Sequence, residues 1–532
     1  MYNKLTWLIS KNYRINWYLD SLPAGIAKTI IKGDNKYQRE ITYNEGIAIG
    51  YIADNINDTD NNTHTHTNTK TMYIYNHYRM YVSLYKGTND KYQVVGFEIE
   101  PFSIKTNTNN TNNSNVTTYQ TVQELINSPA QALNKDEEIS FTYDVIFRFS
   151  NITFASRFDH YTPTNQHVHW FGIINSNILI LTLTILTIFT FTRAIKQDIE
   201  IYNTQVSSDE IIDEYGWKQV SNDVFRKPIN SEFLSAFIGS GIQILIMILY
   251  VLFFSILGFF QPEARGSVLT MMVMIFVFLS VVGGYINGRI YKTFRGRNWI
   301  KSAIITALLF PGCSFILLML INWVYRLEGS NVVMGFSQIC SIMILWICCS
   351  FPLVLIGTFI GVKQKGMDIP CKINPVPSPI PDNKPWYFHI KYACFITGVL
   401  PFGAVFVEFI YIMSSIWRHE LFFFATFVMI AVAVLLVTSS EIGLLYVYVN
   451  LCKGDYNWWW KCFIASASPV IYVVLYSIYY FFSLGMTRLS TMVIYFGLMS
   501  LIVIVVGLVC GSAGVCITFL FLRKIYSMIK VD

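Results

Sequence analysis

Nine long apolar stretches decide what this chain can become. They cover approximately 173–192, 233–260, 268–288, 302–325, 336–361, 392–413, 421–449, 462–483 and 492–522. A helix needs roughly 20 apolar residues to cross a ~30 Å hydrocarbon layer at about 1.5 Å per residue. Soluble core helices are shorter, and nine in succession with so few charges point to a bilayer. Stretches longer than the layer fit tilt or extension beyond the lipid. Charged residues make up 14% of the chain, against roughly 25% in soluble proteins. The shortage is uneven. Residues 1–172 are polar and rich in Asn, Thr and Tyr, 173–522 are largely apolar, and 523–532 form a short charged tail. The expected fold is a polytopic α-helical membrane protein, with nine transmembrane helices preceded by a β-rich, β-sandwich-like luminal domain.

Basic residues set the orientation, because short cytosolic loops retain Lys and Arg. One set of loops holds Arg193, Lys196, Lys218, Arg226, Lys227, Arg289, Lys292, Arg295, Arg297, Lys301, Lys363, Lys365, Lys372, Lys384, Lys391, Lys453, Lys461, Arg523, Lys524 and Lys530. The opposite loops hold only Arg265, Arg326, Arg418 and Arg488. The bias places the C-terminus in the cytosol, and an odd number of spans puts residues 1–172 on the luminal side. Glycosylation sequons begin at Asn57, Asn61, Asn109, Asn112, Asn115 and Asn151. All precede the first span, which agrees with that side being luminal. The net charge of +6 is spread through these loops and forms no compact basic arm, so nucleic acid is not an expected partner. No signal peptide is visible in the first residues. Either the first span drives translocation or residues are missing ahead of Met1.

Within 1–172, the segments 72–85, 91–101 and 138–147 are rich in Tyr, Val and Ile with partial period-two alternation, and they read as strands. The Asn/Thr tracts 55–71 and 106–118 cannot bury apolar area and read as disordered insertions. The pairs His64/His66 and His167/His169 lack Cys or acidic company at ligand spacing, so no metal is expected. All ten cysteines lie at or after Cys313. Those inside spans read as small hydrophobes.

The chemistry of an enzyme is missing. There is no Walker loop, HExxH or GxSxG, and Gly239-Ser240-Gly241 lies inside an apolar span without the strand-turn-helix context of a nucleotide site. No cofactor is expected. Two carboxylates do fall inside spans, Glu408 in the sixth and Glu441 in the seventh. Such groups are functional candidates by default. With the intervening turn placed near 414–420, they differ in depth by roughly 22 Å, which separates them and sets Glu441 near His389 and Lys391. Small residues recur at helix-packing spacing in Gly284/Gly288, Gly357/Gly361 and Gly507/Gly511. Prolines interrupt spans at Pro311, Pro352, Pro401 and Pro469; each frees a carbonyl that its neighbours must satisfy.

Several motifs carry a resemblance. They include Val95-Gly-Phe-Glu-Ile-Glu-Pro101, Ala155-Ser-Arg-Phe-Asp159, and His169-Trp-Phe-Gly-Ile-Ile-Asn-Ser176 leading into the first span. Later come Gly216-Trp-Lys218, Asp223-Val-Phe-Arg226, Leu400-Pro-Phe-Gly-Ala404 through Glu408, Glu441-Ile442, and Asp455-Tyr-Asn-Trp-Trp-Trp460. The Trp triplet at a span mouth suits aromatics that favour the lipid interface. From about residue 13 to its end the chain resembles the nonaspanins, the transmembrane 9 superfamily. That resemblance implies a luminal β domain, nine spans, and residence in Golgi and endosomal membranes. It also implies a role in localising other membrane proteins as cargo. Lys530-Val-Asp532 is similar to the family's Lys-x-Asp tail signal, read by the COPI coat. Tyr526-Ser-Met-Ile529 also fits a tyrosine sorting pattern set against the membrane. Family members begin with a signal peptide and a longer luminal domain. Here Tyr2–Thr6 resembles an early luminal segment and Arg14–Ala24 one that normally lies much further on, which implies missing N-terminal residues. The leading expectation is a non-enzymatic sorting protein, whose helices pack on client spans through small residues. The alternative is a small-molecule or ion transporter or channel.

Overall fold

The computed structural model describes residues 2–20, 22–32, 36–42, 46–55, 69–87, 91–105, 122–135, 137–157, 170–205, 216–257, 267–330, 333–381, 385–386, 389–418 and 424–528. The chain divides into two compact units, the second beginning near residue 168.

The N-terminal unit starts with helix α1 (Tyr2–Ser10). Strands β1 (Arg14–Ile15), β2 (Tyr18–Leu19), β3 (Leu22–Pro23), β4 (Gly25–Lys32), β5 (Lys36–Thr42), β6 (Ile47–Ala48), β7 (Gly50–Asn55), β8 (Thr69–Ile74), β9 (His77–Lys86) and β10 (Tyr92–Phe102) follow. Helix α2 (Val122–Asn127) and strand β11 (Thr142–Phe149) complete it. Five strands form one sheet in the order β11-β9-β10-β4-β5. The unit is β-rich as expected, but β10 pairs β4 in parallel and β11 pairs β9 in parallel, unlike the all-antiparallel pairing of a typical sandwich. The core alternates as a half-buried strand should: Val82, Phe97 and Ile99 from β9 and β10 meet Leu22, Ile26 and Ile47.

The segment expected as one strand over 72–85 is two strands, because Asn76 breaks it. Its buried amide donates to the Ile104 carbonyl at 2.8 Å and to Ser140, and its carbonyl oxygen accepts from the Ile104 N–H at 2.8 Å. Both Asn/Thr tracts fall almost wholly outside the described residues. So do the two His pairs and every sequon asparagine except Asn151, which is exposed just after β11.

The second unit is helical. It comprises α3 (Trp170–Gln205), α4 (Ser231–Ile256), α5 (Ser267–Thr293), α6 (Trp299–Leu327), α7 (Phe336–Ile344), α8 (Phe351–Lys363), α9 (Ile390–Arg418), α10 (Phe424–Cys452), α11 (Trp458–Ala467), α12 (Pro469–Ser483) and α13 (Leu489–Tyr526). Among the described residues, eight helical stretches are long and apolar enough to cross a membrane: Ser231–Ile256, Leu269–Thr293, Trp299–Leu327, Phe336–Lys363, Ile390–Trp417, Val428–Cys452, Trp458–Ser483 and Leu489–Tyr526. The first stretch expected from the sequence, 173–192, lies in α3. That helix is not one of the eight, and some of its side chains fall outside the described residues.

The prolines act in two ways. Pro311 and Pro401 sit inside continuous helices. Pro469 opens α12 and Pro352 lies in the first turn of α8, where Pro costs least. The turn before α8, Leu345–Ser350, is π-helical. Such a bulge is common where a helix must re-aim.

Candidate functional site

The intramembrane carboxylates come first. Glu408 sits on α9 one turn from Ala404 and Ile412, which pack against Ala431 and Val434 of α10 and Ile180 of α3. It is 1% exposed, and neither carboxylate oxygen has a hydrogen-bond partner among the described residues. A buried polar group without a partner costs about 1–3 kcal/mol.

Glu441 on α10 is half-buried and shares a side-chain hydrogen bond with Thr184 of α3; its Oε2 is unpartnered. Among the described residues it makes no ion pair with His389 or Lys391, contrary to the sequence-based expectation. The expected 22 Å separation is also corrected. Helix α9 persists to Arg418 and α10 starts at Phe424, so the turn lies later than 414–420. The packed cluster sets Glu408 level with about Val434. Glu441 is seven residues beyond that level, or about 10 Å along the axis. Between the two lie the buried hydroxyls of Thr438, Ser439 and Ser440. Thr438 and Ser439 bond back to their own helix, at the Val434 and Leu436 carbonyls, while the Ser440 Oγ is unpartnered.

The small residues are brought together across one seam. A Cβ on Gly284 would stand 2.3 Å from the Val354 carbonyl, and one on Gly288 2.5 Å from that of Thr358. From the other side, a Cβ on Gly357 would be 2.1 Å from the Val281 carbonyl and one on Gly361 2.4 Å from that of Tyr285. Helices α5 and α8 therefore touch backbone to backbone, with the α8 glycines set against α5 and the α5 glycines against α8. Gly511 meets the Phe463 ring and Gly507 meets Val470. The expectation that these glycines offer themselves to client helices is corrected: their faces are occupied within the chain. By contrast, among the described residues nothing lies within 4 Å of a Cβ built on Gly403 of α9.

The Trp triplet departs from its expected role. Trp458 and Trp459 are buried at 0% and 5% exposure, so they do not sit at a lipid interface. Their indole N–H groups donate to the carbonyls of Val224 (2.8 Å) and Arg226 (3.2 Å), and that of Trp460 donates to Ile229 (2.7 Å). Three consecutive indoles thus cap one short segment between α3 and α4. Asp223 anchors the same segment. It accepts from Arg226 at 2.5 Å and from the Ser378 hydroxyl at 2.6 Å, and Arg226 also reaches the Asn374 carbonyl at 2.9 Å. Burial pushes the Asp223 carboxyl up, but the hydrogen bonds from Ser378 and Arg226 outweigh it and hold the pKa below its ordinary value. Asp455, 1% exposed, pairs with Lys461 beside the triplet.

At the end of α13, Tyr526 is 1% exposed. Its hydroxyl donates to the Trp217 carbonyl at 2.7 Å, and its ring packs on Trp217 and Phe225. A tyrosine read by a sorting adaptor must be free, so the Tyr526–Ile529 pattern is unavailable in this fold. Lys530 and Asp532 lie outside the described residues.

No group of three or more His, Cys, Asp or Glu that could hold a metal occurs among the described residues. All ten cysteines are free thiols, and burial raises the pKa of Cys371. The carboxylate depth, the occupied glycine seam and the tryptophan clamp were not legible in the sequence. The signal for the clamp was present only as Asp223 and Trp458–Trp460 standing about 235 residues apart.

The model of the endomembrane protein 70 family matches residues 1–491. Transmembrane 9 superfamily member 10 of Arabidopsis thaliana is 34% identical, over 98% of this chain and 81% of its own length. Member 4 of Homo sapiens is 31% identical over the same shares, and human member 2 is 32% identical over 98% of this chain and 78% of its own. No solved structure matches significantly. With eight apolar helices of spanning length among the described residues, following a β-containing region, the chain belongs to the endomembrane protein 70 family, the transmembrane 9 superfamily, as a multi-pass membrane protein.

Proposed function

We propose that this protein is a non-enzymatic resident of Golgi and endosomal membranes that localises or sorts other membrane proteins. It would recycle through Lys530 and Asp532, bound by the COPI coat on the cytosolic side, with the N-terminal unit luminal. The observation that carries this reading is the Lys-x-Asp pattern at the C-terminus of a chain of this family. The anchoring of Tyr526 supports it, since the tail starts a few residues past a fixed point. Client spans would meet outward-facing helix surfaces such as the open one around Gly403, because the seam glycines are already used. Fluorescence microscopy of tagged Lys530→Ser tests the reading. Relocation away from the Golgi is expected, and unchanged residence removes the tail from the mechanism. A pull-down that recovers no other membrane protein removes the sorting role.

The buried, unpartnered Glu408 favours a second reading as a transporter or channel. Reconstituted vesicles that pass no ion or solute would eliminate it.

A further inference from the structure

We propose that the helical unit binds one anionic phospholipid of the bilayer, an acyl chain entering a cleft between α4, α5, α11 and α13 and the phosphate resting on a basic rim beside it. The cleft measures about 270 Å³, and its walls are carbon from Ile238, Ile290, Trp459, Val515 and Phe519. That is smaller than the roughly 300–1,000 Å³ of pockets for drug-sized ligands. Nothing in those walls would hold a water cluster, and apolar cavities take up apolar guests. Ile238 and Trp459 lie within the first eight residues of their helices, and Ile290 and Phe519 within the last eight of theirs. The cleft therefore lies at a membrane boundary, where a lipid can enter sideways.

The rim supplies the opposite chemistry. Arg289 lines the cleft and gives one N–H to the Lys365 carbonyl. A guanidinium has five donors, so others remain for a phosphate. Lys365 pairs with Asp368 at 3.0 Å, and Arg523 acts on the same carboxylate. Lys292 lies against Gly366. Arg289, Lys292, Lys365 and Arg523, set against the one carboxylate of Asp368, give these five residues a net charge of +3. The segment carrying Lys365 is tied down: the Tyr285 hydroxyl donates to Gln364 at 2.9 Å and the Met367 N–H to Thr293 at 3.3 Å. A fixed cationic rim continuous with an apolar slot matches an anionic headgroup and its chain, as basic pockets between membrane helices commonly do. A free phosphate would use the rim alone.

Native mass spectrometry of the purified full chain tests this with phosphatidylglycerol, phosphatidylcholine of the same acyl chains, and inorganic phosphate. Phosphatidylglycerol should be retained at least tenfold better than phosphatidylcholine, and phosphate should not displace it. Arg289→Gln with Arg523→Gln should remove at least tenfold of that retention, and Val515→Phe, which narrows the slot, should also lower it. Arg193→Gln with Lys453→Gln, both exposed and neither lining the cleft, should leave it intact. Should the first pair fail to fold, the exposed pair Lys292→Gln and Lys365→Gln takes its place with the same expectation. Equal retention of the two lipids overturns the proposal. So does displacement by phosphate, or an equal loss in the remote pair.

Discussion

Alanine at position 357 is the sharpest probe of the α5–α8 seam. The new methyl would stand 2.1 Å from the Val281 carbonyl oxygen. Restoring even 3.0 Å, the closest approach a real Cβ tolerates, needs a shift of about 0.9 Å, and both atoms at the contact are backbone or fixed to it. Overpacking of this kind costs about 1–3 kcal/mol. Gly284→Ala, at 2.3 Å from the Val354 carbonyl, should cost a similar amount alone. The two costs should not add. Once one methyl has parted the helices, the second finds part of its space already made, so the double variant should lose less than the sum by at least about 0.5 kcal/mol. Gly403→Ala serves as the control: its Cβ meets nothing, and a helix-interior Gly→Ala exchange is worth up to about 1 kcal/mol in favour of alanine. Denaturant titration of the purified protein in micelles measures all four. Single variants within 0.5 kcal/mol of the parent, or full additivity between them, would refute backbone contact across the seam.

Three other outcomes follow from named contacts. Trp458→Phe removes the indole N–H that the buried Val224 carbonyl accepts and shrinks a ring that is 0% exposed; the lost bond alone should cost about 1–3 kcal/mol, while Trp460→Phe, whose bond is exposed, should cost less, both by the same titration. Glu408→Met should raise stability by about 1–3 kcal/mol, because it removes a buried carboxyl with no partner; destabilisation of that size would mean the carboxyl is satisfied. His77 is 2% exposed beside Asp144 and Arg79, and burial chiefly lowers its pKa below 6.5, against the opposing pull of Asp144. Between that lowered value and 6.5 the unfolded chain binds a proton at His77 that the folded chain does not. Stability of the N-terminal unit should therefore fall as pH drops below about 6.5 and level off under the folded pKa. Thermal melts against pH should show this decline in the parent and a smaller one in His77→Gln.

The membrane helices were legible because spanning is a matter of composition and length, and both are local properties. Helix-packing spacing also singled out Gly284, Gly288, Gly357 and Gly361, since close approach needs small residues whatever the partner. What spacing could not say is which helix fills the notch; α8 does, through Val354 and Thr358. The depth of Glu408 against Glu441 was misjudged because it depends on where one turn falls, and a shift of a few residues there moves the register of both helices. Strands β4, β5 and β7 carry no clear alternation; β5 pairs the adjacent β4 and β7 the next strand β8, while the parallel pairing of β4 with β10, far along the chain, sets their sheet's order. The Trp triplet misled because an aromatic at a span mouth suits lipid equally well, and its true partners are carbonyls, which leave no mark in sequence.

Those carbonyl partners bear on the order in which the molecule is made. The stretch from Trp217 to Ile229 emerges from the ribosome before all eight helical spans found among the described residues, yet its hydrogen bonds run to Trp458, Trp459, Trp460 and Tyr526. Domains usually mature from the N-terminus as synthesis proceeds. This loop cannot: the carbonyls of Val224, Arg226 and Ile229 wait for the tryptophans that open α11, and that of Trp217 waits for Tyr526 at the end of α13. Closure of one of the earliest connections is thus completed only by the last span, and a nascent chain halted short of Tyr526 would leave the Trp217 carbonyl without its partner.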